Sequence, residues 1–321
     1  MKVDIAIIGS GIAGGVTESL LRHRRPVLFE ARSSSECLPD HNAVMRLRDP
    51  SVGHALGADI EKIKVHKSLF FRGQHFSESN PRFNNLYSLK VTNGEHVAGR
   101  SINNLGTQER YLAKSVMASV GDNLMTDHRL IKVNTDKTLV FKTIDCISTI
   151  EYNWAVSTIP IPAFCKVAGI DLPFETKSYP IYITRWSFPK ASNDLHQTIY
   201  FPDPDINVYR ATISSGVVTV EGVSEFDDIS LNAVSEAFGV EFRENEIEIE
   251  EFVQKYGKIV DAPGSKRKKL LRYLTETFGI FFVGRHATWR SIRSDELLQD
   301  AKVVSQLITS EEVRYESAKT L

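Results

Sequence analysis

The hydrophobic pattern changes period twice within the first thirty residues. "VDIAII", Val3–Ile8, is a near-continuous apolar run of strand length. Ala13–Arg25 then spaces Val16, Leu20 and Leu21 on one side of a helix, and "PVLFEAR" supplies a second short apolar run, Val27–Glu30. The pattern predicts strand, helix, strand: a βαβ unit. Short alternating runs over Leu124–Ile150, with turn residues at Asn134–Lys137, predict a β-meander. It leads into "EYNWAVSTIPIPAF", Glu151–Phe164, a strand ending in a Pro-punctuated loop. "TIYFPDPDINVYRATIS", Thr198–Ser214, predicts a hairpin turning at Pro202–Asp205. Near the C-terminus, Ile280–Val283 reads as a buried strand and Gly284 as a turn. A helix follows from Ser294, with Leu297, Leu298, Val303, Val304 and Leu307 as apolar positions. Ser294 is the expected N-cap, and Asp295 and Glu296 fall in the first turn.

Composition narrows the classes. The chain has 321 residues, 42% of them hydrophobic and 25% charged, enough to bury a core in one large or two interleaved domains. Lys plus Arg (39) nearly balance Asp plus Glu (40), so no global field favours nucleic acid or an acidic membrane, and any such contact must be local. Cys37, Cys146 and Cys165 lie far apart, without C-x-x-C or His partners at metal spacing. The expectation is reduced thiols, no zinc and a cytoplasmic protein. Val3–Ile8 is too short for a signal h-region or a membrane span. The nine histidines form no H-x-x-H or E-x-x-H pattern. The dense charge run "KRKKLLR", Lys266–Arg272, fits an amphipathic helix with a solvated basic face, and leaves room for a nucleotide or nucleic-acid partner.

The strongest chemical signal is "GSGIAGG", where Gly9, Gly11 and Gly14 follow the first strand at G-x-G-x-x-G spacing. Gly9 permits a tight turn, Gly11 lets a pyrophosphate approach the backbone, and Gly14 lets helix and strand pack closely. Glu30, about twenty residues on, stands where a ribose hydroxyl pair is gripped and where a 2′-phosphate would be repelled. Strand, helix, second strand and acid fall in order, which points to a dinucleotide.

Three stretches then resemble one family. "GSGIAGG", "AVSTIP" and "FVGRHATWRSIRSDELLQDA" are similar to the corresponding segments of the FAD-dependent amine-oxidase, protoporphyrinogen-oxidase and UDP-galactopyranose-mutase superfamily, with Gly284, Arg285, Trp289 and Arg290 in matching order. The resemblance covers about half of the chain. It implies an α/β fold: a Rossmann-type, glutathione-reductase-like FAD-binding domain with an interleaved α+β substrate domain. In this type the C-terminal strand and helix return beside the N-terminal βαβ unit. The implied cofactor is non-covalent FAD, held by Gly9, Gly11, Ile12, Ala13, Gly14, Glu30, Ala31, Arg32, Gly284, Arg285 and Trp289. His286 and the N-terminus of the last helix are expected near the flavin. After the ribose acid this chain reads "ARSSSECLPDHNAVMR" where relatives carry Gly-Gly.

The expected cofactor domain comprises residues 1–45, 104–165 and 273–321, and the substrate domain 46–103 and 166–272. On the hairpin, "VYR" resembles the mutase's "YTR", which nominates Tyr209 and Arg210 as substrate contacts. "QKYGKIV" places Lys258 after a glycine at the start of a strand, resembling the amine-oxidase lysine that acts near flavin N5; a solvated edge lysine is the plainer alternative. "GRSINN", Gly99–Asn104, reads either as a polar cleft loop with Arg100 as an anion anchor or as the N-cap region of a helix over Glu109–Ala118. Trp154 and Trp186 read as core. Two enzyme classes follow from the resemblance, both with a small-molecule or nucleotide-linked substrate. The first is an oxidoreductase taking hydride from a substrate C–H or C–N bond to flavin N5. The second is a mutase-like enzyme using the flavin without net redox, or a flavoenzyme acting on a nucleotide or nucleic-acid base substituent. The absence of a match to the mutase's substrate loop favours the oxidoreductase.

Overall fold

The computed structural model describes residues 1–33, 45–95, 101–102, 104–114, 123–187, 195–240 and 248–319. The chain forms two compact units, one of Met1–Glu61, Tyr111–Thr176 and Asp261–Leu321, the other of Lys62–Arg110 and Lys177–Val260. These breaks differ from the expected ones at 45, 103, 165 and 272, the first and last because neighbouring helices pack into the first unit. Helix α2 (Ser51–Ala55) packs on α1 (Ile12–Leu21), and α6 (Gly264–Phe278) on β16 (Ile280–Phe282).

In the first unit, β1 (Lys2–Ile8) pairs in parallel with β2 (Val27–Phe29) on one side and β10 (Ile147–Ser157) on the other. Its Ile5, Ala6 and Ile7 are fully buried, as a parallel strand covered on both faces requires. Helix α1 tightens into a 3-10 turn at Arg22–Arg24, short of the expected Arg25. There the backbone enters the left-handed region at φ 50, and Pro26 disfavours further helix. Strand β10 has two roles. Its last residues run parallel to β1 and to β16, while its first residues join β8 (Arg129–Asn134) and β9 (Thr138–Lys142) in the expected meander. Helix α7 (Ser294–Lys319) closes one core with α1 and α2 through Leu297, Leu298, Ala301, Val304 and Ile308 against Val16, Leu21, Ile5 and Ile7.

The second unit is a large mixed sheet. Strands β11 (Ser178–Ser187), β12 (His196–Tyr200), β13 (Val208–Ser214), β14 (Val217–Gly222) and β15 (Glu248–Ile259) are ordered β15-β11-β14-β13-β12, then β4 (Asp59–Phe71) and β6 (Gly106–Lys114). One face buries Trp186, Ile199, Phe201 and Val220 under helix α5 (Asp228–Phe238). The other buries Leu69, Tyr209, Ile181 and Ile183 against Phe83, Tyr87 and Val91 of α3 (Pro81–Val91).

One expectation fails here. The helix over Glu109–Ala118 is absent from its described part, which is strand β6: "TQERYLAK" has good helix formers, but sheet pairing overrides weak local propensity. Residues 99, 100 and 103 of the Gly99–Asn104 loop, with Arg100, and Cys37 lie outside the described residues. Among the described residues no helix is long and apolar enough to cross a membrane, and no group of His, Cys, Asp and Glu could hold a metal.

Candidate functional site

Three segments distant in sequence meet at the end of the parallel strands. Gly9 leaves β1 at φ +97, and a Cβ there would lie 2.6 Å from Thr158 Oγ1. A Cβ on Gly14 would lie 2.0 Å from the Gly9 carbonyl oxygen, so both positions tolerate only glycine. Gly11 differs: a Cβ there meets nothing within 4 Å, and its φ of −65° suits any residue. Space is therefore kept open in front of α1, whose first turn has no acidic residue and no side-chain cap. Ile12 is exposed and Ala13 half-buried at this opening. A Cβ on Gly284, itself at φ +101, would press to 2.8 Å from the Ala13 Cβ. The C-terminal turn thus packs against the N-terminal glycine loop.

Thr158 of "AVSTIP" ties this junction: its hydroxyl donates to the carbonyls of Ile8 (2.8 Å) and Gly9 (3.1 Å). The "GRHATW" turn is knotted by its own backbone. Thr288 N–H and Oγ1 both donate to the Gly284 carbonyl, and Arg290 N–H donates to that of Arg285. The His286 carbonyl accepts from Ile161 N–H, linking the turn to "AVSTIP". Trp289, fully buried, is held at φ 45, an uncommon conformation for a bulky residue that these bonds impose. Arg285 is half-buried beside it.

Glu30 closes the other side. Its carboxylate is 8% exposed and accepts from Ser10 N–H (3.0 Å), Ser10 Oγ (2.8 Å), Arg32 N–H (3.1 Å), Arg32 Nε (3.2 Å) and Arg32 Nη2 (3.4 Å). Burial alone would raise its pKa, but the hydrogen bonds from Arg32 and Ser10 outweigh it and lower the pKa to about 2. The acid is thus an ionised acceptor whose lone pairs are filled. Only the Arg32 side chain, half-exposed, is a partner that a ligand could displace. Ala31 is exposed at the same edge.

The second helix terminus departs from expectation. Ser294 is the first helical residue rather than the cap; Glu296 reaches back to accept from Arg293 N–H at 2.9 Å, and Leu297 N–H donates to the Arg293 carbonyl. This is half of a capping box, and it places negative charge in the first turn.

In the second unit, Tyr209 and Lys258 come together: the ammonium lies 4.9 Å from the ring centroid of Tyr209, whose edge also meets Tyr87. Lys258 stands at the end of β15, not the start of a strand as expected. Gly257 is inside the strand because Ile181 packs where its Cβ would be, 2.1 Å away. Arg210 is occupied otherwise. It faces Glu221 across β13 and β14, and both its Nε and its Nη2 donate to that carboxylate. Sequence reasoning missed the polar ladder beside it, His196 with Ser214 (2.8 Å) and Thr198 with Thr212 (3.4 Å), although alternation in "HQTIY" and "RATIS" marks it. It also missed Lys90, whose Nζ donates to the carbonyls of Phe201 (3.0 Å), Asp203 (2.6 Å) and Val208, fastening the hairpin turn. Burial lowers the Lys90 pKa to about 7, with Asp203 and Asp205 opposing. Ser10 and Thr158 were missed too, being ordinary residues inside the motifs.

No protein-family model and no curated protein matches the chain. Solved structures do. A reduced UDP-galactopyranose mutase superposes with a TM-score of 0.66 at 13% identity, covering 96% of this chain and 94% of the other. A protoporphyrinogen oxidase-like protein from Exiguobacterium sp. 255-15 gives 0.60 at 11%, covering 96% and 99%. RebC-10x, solved native and with K252c bound, gives 0.59 at 13%, covering 97% of this chain and 61% of RebC-10x. The chain shares the α/β fold of these solved structures, the fold that the resemblance implied.

Proposed function

We propose that the chain is an FAD-binding flavoenzyme that oxidises a small organic substrate, in the manner of the amine oxidases. The observation that carries the nucleotide reading is the contrast among the three glycines: two are closed by backbone or side chain, while Gly11 faces open space at an uncapped helix start. That opening fits a pyrophosphate on the N–H groups of the first turn of α1. Glu30, ionised and oriented by Ser10, fits a ribose diol once the Arg32 side chain swings aside. The loop of Gly284, Arg285 and Trp289 fits the ring end of the cofactor. When bound, FAD supplies a two-electron acceptor for hydride.

The chain's own residues bind, orient and manage protons. In this reading Lys258 contacts the substrate, its ammonium positioned over the buried ring of Tyr209. Arg210 holds Glu221 and, through it, the floor of the sheet, which supports a substrate without a diphosphate to anchor. A mutase-like reaction is the second reading, favoured by the end-to-end likeness to the mutase structure.

Purified protein is expected to be yellow and to release unmodified FAD on denaturation; colourless protein that binds NAD and ignores FAD would refute the reading. Anaerobic addition of an amine substrate should bleach the oxidised flavin band, and air should restore it. Activity on UDP-galactopyranose that appears only after dithionite reduction would instead establish the second reading.

A further inference from the structure

We infer that the exposed face of α6 docks a single-stranded polynucleotide, with phosphates on Lys266, Lys268, Lys269 and Arg272 and an unpaired base stacked on Tyr273. This goes beyond the flavin reading and does not depend on it. Helix α6 is anchored by Leu270, Leu274 and Phe278, all buried, and Arg267 is half-buried. The remaining basic side chains point outward. Lys266, Lys268 and Lys269 have no ion-pair partner among the described residues. The helix carries one acid, Glu276, paired with Arg272 at 2.7 Å where both side chains are largely exposed. Such a pair is weak, so Arg272 is free to exchange its carboxylate for a phosphate.

The arrangement does not serve the helix. Positive charge crowded into the first turns opposes the macrodipole, and the first turn has neither an acid nor a side-chain cap to offset it. Nor does it follow from the whole molecule, which has a net charge of −1. The charge is local, and it fits a polyanion.

The face also says which polyanion. Its exposed positions hold Gly, Ser, Lys, Arg, Glu and one tyrosine, with no aliphatic residue to enter hydrocarbon, as a membrane-bound helix needs. Tyr273 is 50% exposed and lies one turn beyond Lys269 and two beyond Lys266 on the same side. An open aromatic ring flanked by ammonium groups is the stacking platform of single-strand binders.

The test is fluorescence anisotropy of the full chain with a labelled oligothymidylate of roughly 20 nucleotides, titrated over a range of salt. Four phosphate contacts should give a slope of log affinity on log salt of about −3. Lys266→Glu with Lys269→Glu should weaken binding at least tenfold and flatten that slope by more than about one. Tyr273→Ala should weaken it severalfold with the slope unchanged. All three positions are exposed, so the melting temperature should not fall. Lys132→Glu with Lys142→Glu makes the same charge change elsewhere and should alter affinity less than about twofold. No binding at low salt, an equal loss in that control pair, no effect of Tyr273→Ala, or tighter binding to phosphatidylglycerol vesicles than to the oligonucleotide would each overturn the proposal.

Discussion

Glu30, buried, and Lys90, half-buried, are ionisable groups set one in each unit, and the two units hold them in opposite ways. Lys90 spends its donors on three backbone carbonyls of a single turn, so its charge is consumed in fastening the Phe201–Val208 hairpin connection. Glu30 is gripped on one side by Ser10, which cannot leave, and on the other by Arg32, which can. An ion with only backbone partners is a rivet. One with a half-exposed partner is a socket, because exchanging that partner for a ligand costs little burial. The same contrast separates Gly14 from Gly11 within the glycine loop.

The largest expected effect breaks that second contrast. Gly14→Ala places a methyl 2.0 Å from the Gly9 carbonyl oxygen, so the strand and helix must part. A stability loss of more than about 4 kcal/mol by denaturant unfolding is expected, with loss of nucleotide. Gly11→Ala should leave stability within about 0.5 kcal/mol and yet weaken FAD retention in dialysis by about tenfold. Equal effects of the two substitutions would show that the opening at Gly11 is not a ligand site.

Next in size is the rivet. Lys90→Met keeps the length and apolar stem but strands three carbonyls, and should cost on the order of 3 kcal/mol, read as a drop of several degrees in melting temperature. Retention of FAD should be unchanged, since the lysine belongs to the other unit. A melting curve like that of the wild type would mean that solvent replaces the lysine without cost.

The smallest effect sharpens the socket. Glu30 titrates lower in the fold than its ordinary value of 4.5, so its stabilising contribution is complete above that pH and is lost as pH falls towards about 2. Arg32→Ala removes the displaceable partner. It should raise the Glu30 pKa and move the acid-unfolding midpoint upward, while changing stability at neutral pH by about 1 kcal/mol or less because Arg32 is half-exposed. FAD affinity should stay the same or rise. A tenfold loss of affinity would assign Arg32 to the bound state rather than to the empty socket.

Legibility differed between the units for a physical reason. Gly9, Gly14 and Gly284 were readable because each is required by local geometry: a positive φ or an approach too close for a Cβ. Arg210 and Lys258 were named from resemblance, and strand register decided what they touch. Register put Glu221 opposite Arg210, and packing by Ile181 put Gly257 inside β15 rather than before it. The helix expected over Glu109–Ala118 failed in its described part because "TQERYLAK" has no local veto against either state, and sheet neighbours chose.

By itself the sequence determined the βαβ unit at the start, the meander, the hairpin, the returning strand and helix, and the glycines that no other residue could replace. These depend on hydrophobic period and on backbone conformation, which are properties of adjacent residues. Only the tertiary structure decided that Thr158 would join the Ile8 and Gly9 carbonyls, that His286 would meet Ile161, that Ser10 would orient Glu30, and that Lys90 would close a turn more than a hundred residues away. A hydrogen bond between distant residues depends on which surfaces are brought within about 3 Å, and no local pattern encodes that distance.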